Sequence, residues 1–137
     1  MKILLTGANG YIGMRLLPQL VEMGHEVVCT VRDKERFAID EEIRSQIEVV
    51  EIDFLNEVVE GKVPKDIDAA YFLIHSMSSS TEAFVEMESK TAENFNMHLK
   101  DTQVEQVIYL SGIVNDDNLS KHLWSRKYCR KDLFTSF

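Results

Sequence analysis

Three glycines at a spacing of three, Gly7, Gly10 and Gly13, fall within the stretch TGANGYIG near the start of this 137-residue chain. They follow a short apolar run, KILL, and open an amphipathic one. That placement lets a strand turn into a helix and aims unpaired backbone N–H groups at a phosphate. Gly7 would make the tight turn, Gly10 would let the backbone approach the phosphates, and Gly13 would let the helix pack close on the strand. The spacing alone is a weak signal; its position between strand and helix gives it weight. Asp33 stands twenty residues after Gly13, the distance at which an acid bonds the ribose hydroxyls of a dinucleotide. His75 ends another apolar run and could carry a proton near neutrality, or serve as a hydrogen-bonded loop residue. His25, His98 and His122 share no spacing with acids or thiols that would hold a metal.

These residues need a sheet to position them. Five apolar runs recur along the chain, KILLTG, HEVVCTV, IEVVEID, DAAYFLIH and EQVIYLSG, with segments long enough for helices between them. Their continuity, without alternation, predicts parallel strands covered on both faces and a doubly wound α/β sheet. Ile12, Leu16, Leu17, Leu20 and Val21 share a face of the first helix, Gly24 suits its C-terminal end, and Pro18 should loosen the turn at Met14. The stretch FLNEVVEGKVPKD predicts one or two helical turns. A longer amphipathic helix from Thr81 to Lys100 carries Phe84, Val85, Glu88, Phe95 and Leu99, with SMSSST supplying its N-cap. After Gly112 the chain turns polar and basic, with scattered aromatics.

A net charge of −8 opposes general attraction to nucleic acid or anionic lipid, so an anionic ligand must be held by local groups. The opening MKILLTG is too brief for a signal peptide or a spanning helix, and Cys29 and Cys129 lack a paired metal spacing. A reducing cytoplasm is the expected setting, with no membrane partner.

TGANGYIG resembles the TGxxGxxG fingerprint of the extended and atypical short-chain dehydrogenase/reductases, a superfamily that includes nucleotide-sugar epimerases and NmrA-like proteins. DAAYFLIHSM, NFNMHLKDTQVEQVIYLSG and DDNLSKHLWSR are similar to its atypical, epimerase-like branch. The resemblance implies one NAD(P)-binding Rossmann domain over 1–137, strand order 3-2-1-4-5 with helices on both faces, and a divergent segment at 113–137. It implies that Thr6, Gly7, Asn9, Gly10, Tyr11, Ile12 and Gly13 bind the cofactor. It places the family's ribose-binding acid at Val31, with Arg32 next, the pattern of NADP binders. A guanidinium there could grip a 2′-phosphate with two hydrogen bonds, or remain a solvated loop residue. NADP is the expected cofactor on this reading and NAD the alternative, with Asp33 then capping the following helix. Asp53 and Phe54 match the adenine contact, although Asp53 also suits a loop cap. Ile74, His75 and Ser76 match the segment beneath the ribose and phosphates.

The same resemblance puts Ser111 at the position that orients a substrate carbonyl. The family's proton-transferring tyrosine stands four residues before a lysine, whereas Tyr128 here precedes Lys131 by three. Members of the family usually continue into a substrate-binding part of comparable size, which the resemblance does not lead one to expect within these residues. A shortened chain is therefore expected, its fifth strand at a sheet edge that a homodimer could cover. The expected functions are hydride transfer between nicotinamide and a carbonyl or alcohol of an unknown small molecule, a non-catalytic dinucleotide sensor, or an inactive remnant.

Overall fold

Strands covered on both faces should be apolar, and the computed structural model, over the residues it describes, 1–56, 58–75 and 81–110, with backbone alone for 81–85, shows this for the inner strands, while the two outer strands leave polar residues exposed. β1 (Lys2–Thr6), β2 (Glu26–Val31), β3 (Ile47–Glu51), β4 (Ala69–Phe72) and β5 (Gln106–Tyr109) form one sheet in the order β3-β2-β1-β4-β5. Every pairing is parallel. β1 is central, with Leu4 opposite Val28 on one side and Ala70 on the other. The pairing with β4 starts with a reciprocal clasp: the Lys2 amide donates to Asp68 Oδ2 at 2.7 Å, and the Asp68 amide to the Lys2 carbonyl at 2.9 Å.

Successive strand residues face opposite ways, which splits the core into two layers. Leu4, Val28, Ala70 and Phe72 pack with Ala92, Phe95 and Leu99 of α3 (Thr81–Leu99). Leu5, Val27, Cys29 and Val31 pack with Leu17 and Leu20 of α1 (Gly13–Glu22). Fully burying a side chain such as Leu17 contributes about 2 kcal/mol. The doubly wound architecture thus stands as the sequence implies.

α1 continues through Pro18 and ends in a Schellman motif. The His25 amide donates to the Leu20 carbonyl and the Gly24 amide to the Val21 carbonyl, with Gly24 at φ +78°. Ile12, expected on the buried face, is instead the exposed N-cap, one residue ahead of α1, although its backbone is already helical.

Two connections differ from expectation. Between β2 and β3 there is only α2 (Glu41–Arg44), a single turn. Asp33 caps a turn rather than a helix, since its Oδ1 accepts the amides of Glu35 and Arg36 at 2.9 and 3.3 Å. Between β3 and β4 the described residues form turns without a helix. There Asp53 closes a tight turn onto Leu55 and Asn56, while Val63 and Ile67 bury themselves and tether the loop. Among the described residues no helix is long and apolar enough to cross a membrane.

Candidate functional site

A cleft of about 340 Å³ opens at the carboxyl ends of the strands, where the order reverses between β1 and β4. Gly7, Asn9 and Gly10 form its centre. Thr30, Val31, Arg32, Asp53 and Phe54 form its β2–β3 side, Leu73, Ile74 and His75 its β4 side, and Met87 and Thr91 of α3 also line it.

The glycine turn is as tight as the spacing requires. Gly7 has φ +66°, and a Cβ there would sit 2.9 Å from the Leu73 carbonyl oxygen. A Cβ on Gly13 would run into the backbone of Gly7 and Ala8, so α1 starts hard against the end of β1. Gly10 is freer, its nearest neighbour being the Gly7 carbonyl oxygen at 3.2 Å from a built Cβ. The Gly10 amide closes the turn on that carbonyl at 2.9 Å. The helical ladder begins with the Met14 amide donating to the Gly10 carbonyl, which leaves the amides of Tyr11, Ile12 and Gly13 ahead of it. The N-cap makes no side-chain hydrogen bond, and the first turn holds no acidic residue. Sequences usually satisfy such an end with Ser, Thr, Asp or Asn. Here the positive end of the helix dipole carries no capping side chain, an arrangement that can take an external anion.

The expected site residues separate into several groups. Thr6 is fully buried and not among the residues lining the cleft: its hydroxyl donates to the Tyr71 carbonyl at 2.8 Å and accepts the Leu73 amide at 3.2 Å. It pins β1 to β4 and so sets the path of Leu73 to His75. Tyr11 is 71% exposed, with the Arg15 guanidinium 3.6 Å over its ring and Arg15 also donating to the Tyr11 carbonyl. Ile12 and Gly13 contribute to the helix end rather than to the cleft wall. Arg32 lines the cleft, whereas Asp33, the acid at the dinucleotide spacing, is committed to its turn. Asp53 does both things: it lines the cleft and holds the Leu55 amide at 3.1 Å. Phe54 is buried, with its ring 6.0 Å from Phe95 and edge-on to His98 at 5.4 Å. Two hydrogen bonds from Asn94 Nδ2, to the carbonyls of Phe54 (2.7 Å) and Asn56 (2.8 Å), fasten this wall to α3.

On the β4 side, His75 Nδ1 lies 3.9 Å from Glu88 Oε1, and Glu88 is only 4% exposed. Ser76, Ser111, Tyr128 and Lys131 lie outside the described residues. Thr30, Met87 and Thr91 also line the site, although no motif in the sequence points to them. Two polar signals were visible: a threonine inside the apolar run EVVCTV, and Glu88 on the apolar stripe of its helix.

Known proteins share this architecture. A family described as NAD(P)H-binding matches residues 7–133. A nucleoside-diphosphate-sugar epimerase from Staphylococcus aureus superposes with a TM-score of 0.75 at 22% identity, over 99% of this chain and 47% of that one. MoeE5, solved with UDP-glucose and NAD, gives a TM-score of 0.76 at 16% identity, over 99% and 49%. Among curated proteins, the spermidine/putrescine import ATP-binding protein PotA of Mycoplasmopsis synoviae is 28% identical over 120 residues, 82% of this chain and 24% of its own length. The chain thus spans about half of these two solved structures and about a quarter of that curated relative.

Proposed function

Because this chain belongs to the NAD(P)H-binding family, we propose that it binds NADPH in preference to NADH, with the pyrophosphate on the α1 N-terminus and the adenosine 2′-phosphate on Arg32. The observation that carries the preference is the division of labour between neighbours: Asp33 Oδ1 holds the Glu35 and Arg36 amides and Asp33 is not among the residues lining the cleft, while Arg32 lines it. An acid facing the ribose would repel a 2′-phosphate, whereas a guanidinium grips it.

The fit of the dinucleotide rests on an end of α1 that no side chain caps and on glycines that leave room for phosphates. Gly7, Asn9 and Gly10 would hold the pyrophosphate, Asp53 and Phe54 the adenine, and Ile74, His75 and Ser76 the remaining ribose. The nicotinamide would supply or accept a hydride, as in short-chain dehydrogenase/reductases and epimerase-like enzymes. Ser111 would then orient a carbonyl of a small-molecule substrate, and Tyr128 with Lys131 would move the proton. A cytoplasmic setting suits a buried, reduced Cys29.

The three-residue spacing of Tyr128 and Lys131 favours a second reading, a dinucleotide sensor without turnover. The PotA likeness carries no reading of ATP hydrolysis, because the sequence holds no GxxxxGK[S/T] run.

Titration with NADPH and NADH, followed by nicotinamide fluorescence and thermal stability together, tests the proposal. Saturable binding that favours NADPH supports it, and absence of binding by either dinucleotide overturns it. Turnover across a panel of carbonyl compounds separates the enzyme from the sensor.

A further inference from the structure

Thr30 is the penultimate residue of β2 and 2% exposed, yet its hydroxyl oxygen has no hydrogen-bond partner among the described residues. The other buried threonines behave differently. Thr6, its register neighbour on β1, is bonded to both Tyr71 and Leu73, and Thr91 donates to the Met87 carbonyl at 2.6 Å. A shielded hydroxyl without a partner costs free energy that the same strand would avoid with valine, a residue of the same shape and better strand preference. β2 uses valine at 27, 28 and 31. Threonine at 30 therefore penalises the ligand-free fold, and a ligand that completes its hydrogen bonding accounts for it.

The position narrows the ligand. By strand alternation Thr30 shares the face of Val28, the side where Phe54, Ile52, Met87 and Thr91 close around the cleft. Arg32 and Asp53 stand on the same side, whereas His75 stands across the glycine turn. With the pyrophosphate on the α1 N-terminus, the half of the dinucleotide over β2 and β3 is the adenosine. Adenosine offers ring nitrogens that accept, and an amine and ribose hydroxyls that donate, so a hydroxyl that can do either finds a partner there. A step of about 120° about χ1 carries the hydroxyl to another staggered position, the methyl moving with it.

We propose that Thr30 is a specificity-determining residue of the cleft, its hydroxyl completing its hydrogen bonding on the adenosine half of the bound dinucleotide. This rests on the dinucleotide reading above and adds the contact by which the floor of the cleft recognises a nucleoside rather than a phosphate alone.

The test compares wild type, Thr30→Val and Thr30→Ser in affinity for NADPH and for 2′,5′-ADP, which keeps the adenosine half and lacks the nicotinamide. Ligand-free melting temperature is read alongside. Thr30→Val is expected to weaken both ligands by about fivefold to tenfold, to melt at or above the wild-type temperature without ligand, and to be rescued by Thr30→Ser. Affinity of Thr30→Val equal to wild type for both ligands overturns the inference alone. A loss for NADPH but not for 2′,5′-ADP places the contact elsewhere and also overturns it. A lower ligand-free melting temperature assigns the hydroxyl a structural partner and likewise overturns it. If wild type binds neither ligand, the functional reading falls and the Thr30 contact falls with it.

Discussion

Gly7 lies so close beneath Leu73 that a side-chain carbon at position 7 would sit 2.9 Å from the Leu73 carbonyl oxygen. Together with the backbone that crowds Gly13, this divides the three glycines by role. Gly7→Ala and Gly13→Ala should each destabilise the fold by about 3 kcal/mol, read as a fall in melting temperature, because backbone has to move. Gly10→Ala should cost less than about 1 kcal/mol and still weaken NADPH at least about tenfold, since its methyl would stand where phosphate approaches. Equal melting losses at all three positions would contradict this division.

Arg32→Ala is expected to weaken NADPH by about tenfold to a hundredfold and leave NADH unchanged, the signature of one lost two-pronged phosphate contact. Asp33→Ala should lower stability by about 1 kcal/mol through its turn and leave the NADPH:NADH ratio where it was. A ratio that moves with Asp33 instead would reverse the two assignments.

His98, half-buried against Phe54, has its pKa held below the usual 6.5 by desolvation first and by the Lys62 charge second. The unfolded chain therefore takes up this proton before the folded one does. The contribution is fully present above 6.5 and is lost as pH falls through the lower folded value. Denaturant unfolding from about pH 7.5 to about pH 5 should show wild type losing stability more steeply than His98→Asn. Parallel curves would remove His98 from the account.

Cys29 is buried, and desolvation pushes its thiol up to about 12 despite the lowering charge of Arg44. Iodoacetamide at about pH 8 should leave Cys29 unmodified in the native protein and label it after unfolding, as mapped by peptide mass. Labelling of the native protein at Cys29 would show that β2 opens readily.

How much of this could be read from the sequence depended on where each segment's hydrogen bonds go. The strands were legible because a run such as EVVCTV has no polar face to offer water. Gly24 was legible because a helix end of that shape calls for a positive φ. The connections were not. The stretch FLNEVVEGKVPKD was expected to form one or two helical turns, but Val63 and the following Ile67 are buried as anchors of a loop whose turn Asp53 closes. Thr6 was placed with the phosphate loop by its neighbours in sequence, while its hydroxyl serves a strand 65 residues away. Such long-range bonds have no local pattern. Thr30 carried a signal, one polar residue in an apolar run, that only its missing partner makes meaningful.

The parallel register of β1 with β4 also orders events in time. Gly7 and its turn precede β4 by more than sixty residues, yet Thr6 bonds to Tyr71 and Leu73, and Leu73 supplies the ceiling over Gly7. Closing so long a loop is slow compared with pairing β1 to the nearby β2. The earlier segment is thus completed late, and the glycine turn gains its ceiling only when the fourth strand arrives.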